Sequence, residues 1–157
     1  MTDRDGYWGA KIVASFSDAQ IAAAVEAALY EDPRASEFLV QNLIVRRDKI
    51  ARHWFGRVAP LDFFSTQAGA LRFHDLAVDI GLVGARGYDV DVDVAGGRAP
   101  GHTRVHLNGT ELPLLELGNG ASRMSLEISV ARDGAKPARV ELTRRGSEWV
   151  VARVRHG

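Results

Sequence analysis

The chain has 157 residues, 46% of them hydrophobic, enough for one substantial core or two small ones. Its 20 basic and 20 acidic side chains balance, so no global field draws it to nucleic acid or to an anionic membrane. Cysteine is absent, which excludes disulfides, thiolate catalysis and cysteine-held zinc.

No apolar run approaches the ~20 residues that span a bilayer. Residues 1–16 lack the basic start and unbroken apolar centre of a signal peptide, being interrupted by Gly9 and Lys11. The expectation is a soluble, cytoplasmic protein with no membrane partner; a cysteine-free chain is equally compatible with export.

Residues 5–15 read as a short helix capped by Asp5, with Tyr7, Trp8, Ile12 and Val13 as apolar content. Ser17 and Gln20 have capping-box spacing and open a second helix with Ile21, Val25, Ala28 and Leu29 on one face. Asp32 as N-cap and Pro33 at the first helical position open a third, which Gly56 ends, with Pro60 beyond. Its stripe is Ala35, Leu39, Leu43, Ile50 and Trp54, with Phe38 beside it. At ~1.5 Å per residue this helix is about 33 Å long. The short breaks favour antiparallel packing, a helical hairpin.

From Leu61 the period falls from about 3.6 to 2. Residues 70–78 read as a strand, and 88–94 alternate strictly, with Tyr88, Val90, Val92 and Val94 inward. Residues 95–101 are a glycine-rich loop. Asn108-Gly109, between 104–107 and 110–115, has the composition of a hairpin turn. After a loop at 118–122, Met124, Leu126, Ile128 and Val130 line the inner face of a strand that ends at Asp133-Gly134. For 138–144 and 149–155, a three-residue loop sets Leu142 against Ala152, Val140 against Val154 and Glu141 against Arg153. A two-residue loop sets Val140 against Arg153, so the odd loop is expected. The fold class is α+β: about three N-terminal helices (1–58), a connection (59–67) pinned by Leu61-Asp-Phe-Phe64, and a C-terminal antiparallel β-sandwich (68–157).

Candidate chemistry is sparse. Asp89, Asp91 and Asp93 are the candidates for a metal, but alternate strand residues lie ~6.8 Å apart, so the outer carboxylates stand ~13.5 Å apart and cannot share one ion. His102 and His106 have helical metal-pair spacing on a strand, and His53, His74 and His156 have no ligand neighbours in sequence. No metal or cofactor is expected. Arg46, Arg47, Lys49, Arg52 and Arg57 form a basic run that reads as a solvated helix face near a helix C-terminus, with Arg46 and Arg47 as partner-contact candidates. Trp149 beside Arg144 and Arg145 is the candidate ligand-binding group. The glycine-rich segments lack phosphate-loop spacing, and no GK[ST], GxSxG or HExxH occurs.

The segment from Asp5 to Ile21, with Glu31-Asp-Pro33, Leu43-Ile44, Arg46-Arg-Asp-Lys-Ile50 and Pro60-Leu61, resembles the tail of a family of large, uncharacterised bacterial proteins. The resemblance covers residues 5–62. It implies the closing helices of a kinase-like lobe followed by a small β domain, with that family's phosphate- and metal-binding motifs upstream, where no position of this chain matches. No catalytic residue is carried over.

The expectation is therefore a non-enzymatic accessory module, the C-terminal part of a longer protein or a short relative of one. Its contact would be with a protein partner or a missing upstream domain, through Trp8, Ile12 and Phe16, with self-association open to it. The alternatives are a carbohydrate- or small-ligand-binding sandwich using loops 95–103 and 116–122, and the tail of a phosphotransfer enzyme without its catalytic part.

Overall fold

The computed structural model describes residues 2–96, 101–115, 117, 120–130 and 134–157. Three helices come first: α1 (Asp3–Ala14), α2 (Asp18–Glu26) and α3 (Pro33–Phe55). Strands β1 (Leu61–Gln67) and β2 (Ala70–Asp75) lead to a single helical turn, α4 (Leu76–Asp79). Then come β3 (Tyr88–Ala95), β4 (Gly101–Leu107), β5 (Glu111–Pro113), β6 (Arg123–Val130), β7 (Ala138–Arg145) and β8 (Glu148–His156). The strands form two antiparallel sheets, ordered β1-β2-β5 and β4-β3-β6-β7-β8. The chain is α+β.

Alternation builds the main core. Tyr88, Val90 and Val92 of β3, and Met124, Leu126, Ile128 and Val130 of β6, face Leu71, Phe73 and Leu112 of the smaller sheet. Val94 is half-buried at the strand end. A second cluster joins Tyr7, Ala10 and Ala14 of α1 to Ala51 and Phe55 of α3 and to Leu76 and Ala77 of α4.

Local capping chemistry sets the helix starts. Ser17 and Gln20 close the expected capping box, and Asp32 accepts from the Arg34 N–H with Pro33 in the first turn. In α1 the cap is Thr2, and Asp5 is its reciprocal capping-box partner rather than the cap itself. The second helix ends at Glu26, so Leu29 lies beyond it at φ 53° and is 85% exposed.

The stripe of α3 also differs. Its buried residues are Arg47, Ala51 and Phe55, while Phe38, Leu43 and Ile50 face outward. The reason is the partner: α1 presents Gly6, Tyr7, Ala10 and Ala14, a narrow small-residue face that fits the C-terminal half of α3. A Cβ on Gly6 would stand 2.4 Å from the Trp54 ring.

Several β-region expectations change for non-local reasons. The connection at 59–67 carries β1, and the strand expected at 70–78 stops at Asp75, whose carboxylate caps α4 through the Ala77 and Val78 N–H groups. Asn108-Gly109 joins no hairpin: β4 pairs with β3 in the larger sheet and β5 with β2 in the smaller, so this turn carries the chain between layers. The true tight turns are Ala68-Gly69, both at positive φ, and Gly146-Ser147, with Gly146 at φ 64°.

That last loop has two residues, not three. Val140 still opposes Val154 and Glu141 opposes Arg153, because a bulge leaves Ala152 unpaired; Leu142 then meets Val151 rather than Ala152. The end of β6 at Asp133 and most of the glycine-rich loop at 97–100 lie outside the described residues.

Candidate functional site

Strand β1 is broken by a bulge. Asp62 pairs with His74 and Ser65 with Arg72, so Phe63 and Phe64 together oppose Phe73. Phe64 turns inward onto Phe73, with ring centroids 5.6 Å apart. Phe63 turns outward, 59% exposed, at φ 52°. A bulky residue in the left-handed region is an outlier that costs on the order of 1–3 kcal/mol and must be held by its surroundings. The Asp62 carboxylate holds it, accepting the Phe63 N–H at 2.8 Å.

Beside Phe63 runs the outer face of α1. Because Gly6, Tyr7, Ala10 and Ala14 take the inner face, Trp8 and Ile12 lie on the outside of α1, with Phe16 two residues past its end, each about half exposed. Trp8, Ile12 and Phe63 rim a hollow of about 320 Å³ floored by Ala14, Leu76 and Ile80. A second groove, of about 500 Å³, is bordered by Val13 and Phe16, Ile21 of α2, and Leu43 and Ile50 of α3. Leu43 and Ile50 of α3 thus share an apolar groove with Val13 of α1 and with Phe16 just beyond it.

A polar seam fastens this face to the sandwich. Lys11 pairs with Asp62 at 2.5 Å, and the Tyr7 hydroxyl donates to the same carboxylate at 3.2 Å. The Tyr7 ring stacks on His156 at 4.6 Å, and His156 Nε2 donates to the Leu61 carbonyl at 2.8 Å. Burial works to raise the Asp62 pKa, but hydrogen bonds from Lys11 and the Phe63 N–H, with the Lys11 and His156 charges, outweigh it and hold the carboxyl below the usual range. Burial, then the neighbouring Asp62 charge, pushes the Tyr7 phenol well up, so it serves as a donor.

Of the other sequence candidates, Arg46 and Arg47 line the groove beside Phe16, and the rest disperse. Arg46 is exposed on α3, whereas Arg47, expected on the solvated face, is buried. Its guanidinium donates to the Phe16 carbonyl, Asp18 and Asp48, tying α3 to the α1–α2 corner. Trp149 is buried in the main core with Arg144 over its ring at 5.9 Å; Arg145 stands opposite Glu148 and does not line the hollow that Arg144 and Trp149 border. A ring so covered offers little face for stacking on a sugar.

Asp89, Asp91 and Asp93 stand in register with His106, Arg104 and His102 of the edge strand β4 and pair with them at 2.8, 2.8 and 2.9 Å. They form a rung-by-rung ladder of cross-strand polar pairs. Among the described residues no three His, Asp or Glu side chains converge to hold a metal ion. His74 pairs with Asp79 at 2.9 Å in a hollow of about 580 Å³ over the outer face of the smaller sheet.

The feature that sequence reasoning missed is Phe63. Its signal was the doubled Phe63-Phe64 in a β-period segment, which one alternating strand cannot bury on a single face.

No protein-family model matches the chain, and neither a curated protein nor a solved structure matches it.

Proposed function

We propose that this chain is a non-catalytic interaction module whose outer α1 face, completed by Phe63, seats a helix of a protein partner, either a separate protein or an upstream domain of a longer bacterial polypeptide. The observation that carries this reading is Phe63: a strained bulge turns an aromatic ring to solvent beside Trp8 and Ile12 instead of into the core. Apolar side chains at four-residue spacing, with a second apolar groove bordered by Phe16, suit helix-against-helix packing. A contiguous apolar surface of this kind is uncommon on a protein that works alone.

The test is site-specific photocrosslinking in source cells, with a photoreactive residue at position 12 and, as control, at position 103 on the far edge strand. Adducts at position 12 that map to a helix of one other protein, or of an upstream region, are expected. Equal adduct patterns at both positions, or adducts only to a second copy, would overturn the reading.

A further inference from the structure

We infer that the partner helix is acidic at one end of its apolar stripe, with carboxylates that enter a cationic cleft adjoining the Trp8–Ile12–Phe63 hollow; this rests on the reading proposed above. The cleft, about 400 Å³, is lined by Arg4 and Lys11 of α1 and by Arg153 and Arg155 of β8. Trp8 and Lys11 line both it and the apolar hollow, so the two are contiguous.

Among the described residues lining the cleft, Asp62 is the sole side-chain carboxylate, and it is already engaged by Lys11 and Tyr7. Arg4 and Arg153 have no ion pair or hydrogen bond among the described residues, and Arg155 has only Glu141 at 3.8 Å. Four cations thus meet two carboxylates, Asp62 in the cleft and Glu141 on the neighbouring strand, and the excess positive charge is relieved by a bound carboxylate. Guanidinium forks match carboxylates in two-point geometry.

The placement sets the partner's polarity. Arg4 stands one helical turn before Trp8, on the stripe that continues to Ile12. Arg153 and Arg155 share one face of β8, opposite to that of Val154 and His156, and border the cleft where this edge strand meets α1. A helix lying along α1 would therefore meet arginines at one end and apolar side chains along the rest.

The test uses two labelled synthetic helical peptides with an identical apolar stripe, one flanked at that end by glutamates and the other by lysines. Binding is read by fluorescence anisotropy. The glutamate peptide is expected to bind about tenfold or more tightly than the lysine peptide, an advantage of ~1.4 kcal/mol. Salt should shrink the difference, and the R4E/R153E variant should reverse it. Both substitutions are at exposed positions, and an acid near the start of α1 is favourable to the helix, so this variant is expected to fold.

Equal affinities, or a preference unmoved by R4E/R153E, would overturn the charge inference while leaving the apolar face standing. If Ile12→Asp leaves both affinities unchanged, the apolar reading itself falls and takes this inference with it; binding of neither peptide overturns both.

Discussion

The Lys11 ammonium lies 4.6 Å from the centroid of the Phe63 ring while it pairs with Asp62, the residue immediately before that ring. One cation from α1 thus covers the bulge from above, and one carboxylate holds it from within. Helix and sandwich are joined at a point where the backbone is strained.

Strain at position 63 has a measurable sign. Glycine adopts φ 52° freely, so Phe63→Gly should raise stability to chemical denaturation by about 0.5–1 kcal/mol, the left-handed penalty less glycine's added chain entropy. Partner or peptide affinity should fall in the same variant. A stabilised variant with undiminished binding would separate the bulge from function.

Contact between α1 and α3 depends on Gly6. Alanine there places a methyl group against the Trp54 ring, so Gly6→Ala should destabilise by about 1–3 kcal/mol despite alanine's better helix propensity. Urea unfolding of the two proteins checks this, with Gly9→Ala as the contrast, since a Cβ on Gly9 meets nothing within 4 Å.

Asp75 is the buried polar centre of the sandwich end. It accepts from Arg86 Nε at 2.7 Å, from the Tyr88 hydroxyl at 2.8 Å and from the Ala77 N–H at 3.1 Å. Asp75→Ala removes the acceptor that Arg86, Tyr88 and Ala77 share and should cost about 3–5 kcal/mol, against about 1 kcal/mol for Tyr88→Phe. Unfolding midpoints of the two variants should rank in that order.

Asp62 gives the seam its pH dependence. Its folded pKa lies below the unfolded value, so the stability it supplies is complete above the unfolded carboxylate range, near pH 4, and is lost as pH falls through the folded value. Acid titration of stability should therefore show a shallower decline below about pH 4 in Asp62→Asn than in the parent protein.

Much of the fold was legible in the residues themselves. The alternation of Tyr88, Val90 and Val92, and of Met124, Leu126, Ile128 and Val130, named the inner faces of two central strands. Ser17-Gln20 and Asp32-Pro33 marked helix starts. Each is a pattern among near neighbours, so the local chain carries its full physical content.

Partner choice decided the rest. Asn108-Gly109 has the chemistry of a hairpin, yet β5 finds its hydrogen bonds on β2 of the other sheet. A bulge at Ala152 reconciles a two-residue turn with the apolar register, and another at Phe63-Phe64 sends one aromatic inward and its neighbour to the surface. The small-residue face of α1 selected Arg47, Ala51 and Phe55 of α3 over its larger apolar stripe. Composition and spacing determined which segments would coil and which would extend. Only the tertiary structure decided what each would pack against, and so which side of α3 would be covered, because burial there is settled by the shape of the partner.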